Sequence, residues 1–329
     1  MTDYIYATAC IRSMEDKLIK EEQFDQLVEM NNADDIFKIL ENAGYGGEDG
    51  HFDIDNYEKK LGEKSKYLVN YIKELSDDEV FDIFSIPSDY HNIKVILKGE
   101  ALGLKRPDIL LNTGTVPPSD MVRYVNERDE INLTENMLKA VNDAIDNHAR
   151  TKDPQIIDLV CDKYCYIEIS EIAKRSGNDF IEGYISLLID TLNFKTCMRA
   201  RMMGKEWPFF SELYIPNGNI DEKVFIDSFD DDLTQIAERF SPYEIYEVAL
   251  KGLARLDNTG SFTLLEKLCD DVLIKYIRKA GFKTFGIEAL FAYMVSAQME
   301  IKSVRILITG KLAGMEPALI KERLRLAYE

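Results

Sequence analysis

Apolar residues along this chain recur at intervals of three and four, the period of a helix with one buried face. In FDQLVEMNNADDIFKILENAGYGG (24–47), Phe24, Leu27 and Val28 form one stripe, and Ile36, Ile39 and Leu40 form a second. Asp34 or Asp35 is placed to cap the second helix, and Gly44 to close it. In SFTLLEKLCDDVLIKYIRKAG (261–281), Leu264, Leu265, Leu268, Val272 and Tyr276 make a ladder from a Ser261 cap to Gly281. Strand-like alternation is rare. Its best candidate, CYIEIS (165–170), fails at Tyr166 and reads as helix. No proline occurs before Pro87 or between Pro242 and Pro317, so helix can run uninterrupted there. Leu, Glu, Lys, Ile, Ala and Met fill these spans and favour the same state. The pattern predicts an all-α fold.

Three loop-like breaks interrupt it: GYGGEDGHFD (44–53), KRPDILLNTGTVPPSD (105–120) and EWPFFSELYIPNGNID (206–221), with a helix starting near Asp221. The last two divide the chain into units 1–106, 107–215 and 216–329. The units share a motif. DYHNIKVILKGEALG (89–103), DTLNFKTCMRARMMG (190–204) and EIKSVRILITGKLAG (300–314) each begin with an acid and end, fourteen residues on, in glycine. Between these ends stand Asn92, Asn193 and Ser303, then Ile93, Phe194 and Val304, then Lys94, Lys195 and Arg305. Ile96/Cys197/Leu307 and Leu97/Met198/Ile308 continue the helical face. Upstream, Val80/Ile181/Phe291, Ile83/Tyr184/Met294 and Phe84/Ile185/Val295 extend the register. Pro87 should kink or break the first copy just before its motif. Spacings of 101 and 110 residues are too long for a helical-solenoid repeat, so each unit is a multi-helix bundle. We expect three similar bundles about a pseudo-threefold axis, with a central cavity.

Composition narrows the function. A hydrophobic fraction of 46% suits a folded globular chain, and a net charge of −19 disfavours nucleic-acid backbones and anionic lipid. No apolar run approaches the roughly 20 residues a membrane span needs. The first residues, MTDYIYATACIRSMEDK, lack the basic and apolar regions of a signal peptide, so we expect a cytoplasmic protein. Five widely spaced cysteines read as buried thiols, and Cys161 and Cys165 lack companions for a metal site. Phosphate-loop, nucleophile-elbow and metal-helix motifs are not found. His51, His91 and His148 share no spacing, and Asp230, Asp231 and Asp232 read as helix caps on a solvated face. No catalytic, metal or cofactor residues are expected. Acid and base within each motif lie five residues apart and diverge around the helix, so they should contact neighbouring units or a partner.

The chain resembles the C subunits of bacterial and archaeal A/V-type rotary ATPases, the counterparts of the d subunits of eukaryotic V-ATPases. The resemblance rests on YATACIRSMEDKLI, FDQLVEM, LENAGYG, DYHNIKVILKGEALG, LYIPNGNID and EIKSVRILITGKLAGMEPALIKERL, and spans essentially the whole chain. It implies an all-helical funnel of three bundles on the cytoplasmic side of the membrane rotor ring. Its cavity would receive the central shaft and pass torque to the ring of proteolipid subunits. It would act without catalysis, as one copy in a hetero-oligomeric complex. Lys94, Lys195, Arg199, Arg201, Arg305 and Lys311 are then expected at the axis or the unit boundaries, meeting acids of the shaft or of sister bundles. The alternative is a cytosolic all-helical scaffold or adaptor unrelated to ion transport.

Overall fold

The computed structural model describes residues 4–47, 50–128, 132–282 and 285–328. In chain order the helices are α1 (Tyr4–Glu15), α2 (Glu21–Glu29), α3 (Ala33–Leu40), α4 (Tyr57–Leu75), α5 (Ile86–Leu102) and α6 (Pro118–Glu127). Then come α7 (Glu135–Thr151), α8 (Gln155–Ser176), α9 (Asp179–Met202), α10 (Trp207–Leu213) and α11 (Glu222–Asp227). The chain continues with α12 (Leu233–Arg239), α13 (Tyr246–Thr259), α14 (Thr263–Ile277), α15 (Ile287–Leu312) and α16 (Pro317–Lys321). Among the described residues there is no strand, and none of the helices is long and apolar enough to cross a membrane. CYIEIS lies inside α8.

The chain packs as two compact units. One joins Met1–Asp77 to Asp231–Glu329, and the other is Asp78–Asp230. In the second, α8 packs on α5, α7 and α9. Phe194, Phe210 and Phe225 are fully buried there, and the last two rings lie 5.5 Å apart. Each such ring contributes roughly 1.5–3 kcal/mol through burial. In the first, α15 packs against α1 and α4, and α14 against α13.

The three motifs form the C-terminal parts of α5, α9 and α15. The second and third copies are continuous helices of 24 and 26 residues. The first is broken where Pro87 demands it. A 3₁₀ segment covers Glu79–Phe84, and α5 starts afresh with proline in its first turn, where a missing N–H costs nothing. All three end alike. Gly103, Gly204 and Gly314 have φ of 66°, 66° and 65°. The next residue's N–H reaches back to the carbonyls of Gly99, Ala200 and Gly310 at 2.8, 2.9 and 2.9 Å. This is the left-handed helix stop that glycine permits without strain. Gly204→Ala should therefore cost about 1 kcal/mol in urea unfolding, with the helical circular dichroism of the native state unchanged.

Two local expectations are corrected. Asn32 caps α3, its side chain accepting from the Asp34 N–H, while Asp34 and Asp35 occupy the first turn. In α14 the core face is Leu265, Cys269 and Leu273, and Leu264, Leu268, Val272 and Tyr276 are less deeply placed than these. The two ladders lie next to each other on a helix apolar over most of its girth, so spacing alone did not choose between them. α14 ends at Ile277 and tightens into a 3₁₀ turn over Arg278–Phe282 before Gly281 can serve as its stop. Asp221 and Asp232 do cap α11 and α12.

Candidate functional site at three buried carboxylates

Each repeated acid is buried, and each fastens a loop that runs into a helix distant in sequence. Asp89 on α5 accepts from the Thr115 N–H and hydroxyl, both at 2.8 Å, and from the Val116 N–H at 3.1 Å. Three residues on, the Asn92 amide pairs with both backbone groups of Leu111 at 2.8 Å. Asp190 on α9 repeats the arrangement. It accepts from the Ile220 N–H at 3.0 Å and the Asn219 amide at 2.9 Å, and Asn193 pairs with both backbone groups of Ile215. Leu111 and Ile215 sit in non-helical loops, where unpaired peptide groups need partners. The asparagine side chain supplies both. In each case the next helix, α6 or α11, begins two residues after the fastened Val116 or Ile220.

The carboxylates come very close to their loops. A Cβ on Gly114 would lie 1.9 Å from Asp89 Oδ1, and one on Gly218 would lie 2.4 Å from Asp190 Oδ1. These glycines stand two residues before Val116 and Ile220. Only a residue without a side chain fits there.

The third copy solves the same problem with a longer acid. Glu300 on α15 accepts from the Ile19 N–H at 2.5 Å and from the Tyr45 hydroxyl at 2.7 Å. Ile19 again stands two residues before a helix, α2. Two residues before Ile19 is Lys17, where the other copies have glycine. Glutamate's extra methylene gives its carboxylate a longer reach than aspartate's. Ser303 replaces the asparagine. Its counterpart partner, Met14, lies inside α1, whose own ladder already satisfies the peptide groups. Glu300, Lys17 and Lys64 border a cavity of about 820 Å³. Burial holds the Glu300 carboxyl above its ordinary value, against the lowering effect of Ile19 and Tyr45, and pulls the Lys64 ammonium down.

The basic residues fall into two groups. Four reach elements distant in sequence. Lys94 pairs with Asp162 of α8 at 2.5 Å, and Arg305 with Glu58 of α4 at 3.1 Å. Arg201 donates to the Ser228 carbonyl, and Lys311 to those of Val28 and Met30, at the ends of α11 and α2. A cation there offsets the negative end of the helix dipole. Arg199 is exposed, and Lys195 is half-buried without an ion-pair partner among the described residues. Sequence reasoning found the acids, asparagines and glycines in register but gave no role to Gly114, Gly218, Tyr45 or the fastened loop residues. Among the described residues no cluster of His, Cys, Asp or Glu is arranged to hold a metal. Cys161 is buried, which pushes its thiol up to about 12 and keeps it protonated.

Comparison with known proteins agrees with this whole-chain pattern. The chain is 23% identical over 330 residues to the C subunit of the V-type sodium ATPase of Enterococcus hirae, covering 99% of both chains. It is 22% identical to the C subunit of the A-type ATP synthase of Methanocaldococcus jannaschii, over 98% of this chain and 86% of that one. It is 20% identical to the C subunit of the V-type ATP synthase of Thermus thermophilus, over 97% and 98%. The pattern of the ATP synthase (C/AC39) subunit family matches residues 7–323, and the chain belongs to that family.

Proposed function

We propose that this protein is a non-catalytic central-stalk component of a V/A-type rotary ATPase, the socket that couples the rotating shaft to the membrane rotor ring. Units 1–106, 107–215 and 216–329 are its three repeats. The observation that carries the reading is the order of the fastenings: the acid of the first repeat holds the second, that of the second holds the third, and Glu300 of the third holds Ile19 of the first. A socket that passes torque must not shear between its parts, and buried charge-assisted hydrogen bonds resist shear at each of these three contacts. Membership of the family over residues 7–323 supports partners of this kind: shaft subunits on one side and ring proteolipids on the other. Lys195 and Arg199 are the basic residues we assign to partner contact. The protein then sits on the cytoplasmic face of the membrane through its complex, linking ATP hydrolysis or synthesis to ion transport.

The test is affinity capture of the tagged full chain from detergent-solubilised membranes, with partners identified by mass. Nucleotide-binding, shaft and ring proteins should co-purify in fixed ratio. Capture of unrelated soluble partners without them would replace the socket by a scaffold.

A further inference from the structure

In the second and third copies, the grooves between α9 and α11 and between α15 and α2 are each filled twice. Eleven residues after the acid a base enters: Arg201 on the Ser228 carbonyl, Lys311 on those of Val28 and Met30. Six residues after the glycine an apolar side chain is buried completely: Phe210 on α10 and Ile320 on α16. Ile320 lies directly over Gly310.

The first copy has neither filling. Its residue at the base position is Glu100, exposed and without an ion-pair partner among the described residues. Its residue six past the glycine is Ile109, 41% exposed. The cause is chain length. Gly103 to Leu111 is 8 residues, where Gly204 to Ile215 is 11, so only a 3₁₀ turn over Pro107–Ile109 forms in place of α10. What remains is a cleft of about 340 Å³ between α5 and α6. Val95, Ile96, Leu110 and Val122 wall it, and Glu100 and Asn126 give it a polar side. Ile96 is half-buried, while its counterparts Cys197 and Leu307 are fully buried. Lys105 and Arg106 also line the cleft, Arg106 being held by Asp108 through bonds of 3.0 and 2.8 Å. Leu102 and Leu104 stand exposed beside it.

We propose that this cleft receives a short amphipathic segment of a partner chain, one large apolar side chain with one Lys or Arg, supplying from outside what Phe210/Arg201 and Ile320/Lys311 supply from within. Glu100, standing where Arg201 and Lys311 stand in the other copies, and the apolar walls call for that pair; of the two bases on the lining, Arg106 is taken by Asp108 and Lys105 lies on the loop after Gly103. The inference rests on the rotary-complex reading only for which partner it is: another member of that complex.

Two measurements test it. On the purified full chain, Ile320→Ala should lower the melting temperature by about 5 °C or more, and Ile109→Ala by no more than about 1 °C. Glu100→Arg should raise it by about 2 °C by plugging the cleft from within. In the complex assembled in membranes, a photoreactive residue at position 126 should crosslink to a partner segment containing Lys or Arg beside an apolar residue. Glu100→Arg should reduce that crosslink at least tenfold while the protein still co-purifies with the complex. An Ile109→Ala loss equal to that of Ile320→Ala would mean that the chain's own turn closes the cleft, and the proposal would fall. A crosslink only within the chain, or to a segment without a base, would overturn it too. Should no component of a rotary ATPase co-purify, the functional reading fails on that result, while the melting comparison still decides whether the cleft is open.

Discussion

Asp89→Asn, a substitution that preserves shape, is expected to destabilise the protein by about 3 kcal/mol. The carboxylate takes two backbone N–H groups and one hydroxyl, all donors, on its two oxygens. Asparagine has one acceptor and one donor end. Whichever way the amide turns, its NH₂ faces the N–H of Thr115 or of Val116, and a peptide N–H has no rotor with which to adapt. One buried donor is then orphaned against another, and the charge that strengthened the remaining bonds is gone. Asp89→Ala should cost on the order of 4 kcal/mol, because a void is added. Coupling to the loop gives an internal control. Gly114→Ala alone forces a Cβ onto the carboxylate and should cost about 3 kcal/mol. In the double variant Asp89→Ala/Gly114→Ala the new methyl occupies vacated space, so the total should fall short of the sum by about 2 kcal/mol. Urea unfolding followed by circular dichroism measures all four proteins. Additive costs would show that Asp89 does not hold the loop.

What made this arrangement partly legible was its repetition. Acid and terminal glycine recur at fixed offsets in all three copies and asparagine in two, and each offset has one physical job: clasp, peptide-pairing amide, left-handed stop. The helix break at Pro87 followed from a ring that cannot donate. Divergence around the helix pointed the acids away from their own helix, but not to the loop each would meet. A single Asp or Glu on an amphipathic pattern is normally read as solvated, and only the loop that folds over it makes it a buried acceptor. The glycine that allows this, Gly114 or Gly218, lies more than twenty residues away in sequence, inside segments that read only as linkers. The third copy hid the relation further. Its loop comes from the opposite end of the chain, and Lys17 with Glu300 replaces glycine with aspartate. The two replacements make sense only as a pair, once the contact is seen. The basic residues were legible as a set but not in their use. Arg201 and Lys311 look like ordinary helix-end cations, and their acceptors are backbone carbonyls, which leave no mark on a sequence.

Glu300→Ala is the substitution expected to change function most. It leaves the Ile19 N–H and the Tyr45 hydroxyl without their acceptor and should cost about 3 kcal/mol at pH 7. Glu300→Gln should be far milder. Its carbonyl can take the Ile19 N–H while its NH₂ donates to the Tyr45 oxygen, because a phenolic hydroxyl, unlike a peptide N–H, can turn from donor to acceptor. The pH dependence has a definite sign. Burial raises the folded pKa of Glu300 above its ordinary value, so folding favours the protonated form. Its stabilising contribution is complete below the ordinary carboxylate range and is lost as pH rises through the folded value. Glutamine does not titrate, so the stability gap between the native protein and Glu300→Gln should be smallest at pH 7 and widen toward pH 4. A gap that narrows on acidification would contradict the burial argument. In the assembled rotary complex the same pair of variants separates fastening from fold. With the clasp of Glu300 on Ile19 and Tyr45 lost and the contact between these segments loosened, Glu300→Ala should hydrolyse ATP normally yet transport fewer ions per ATP, while Glu300→Gln keeps both activities. Under the proposed socket role, loosening the contact between Glu300 and Ile19, which joins segments far apart in sequence, would let part of the torque be lost. Normal transport by an intact complex carrying Glu300→Ala would remove that contact from the path of the torque.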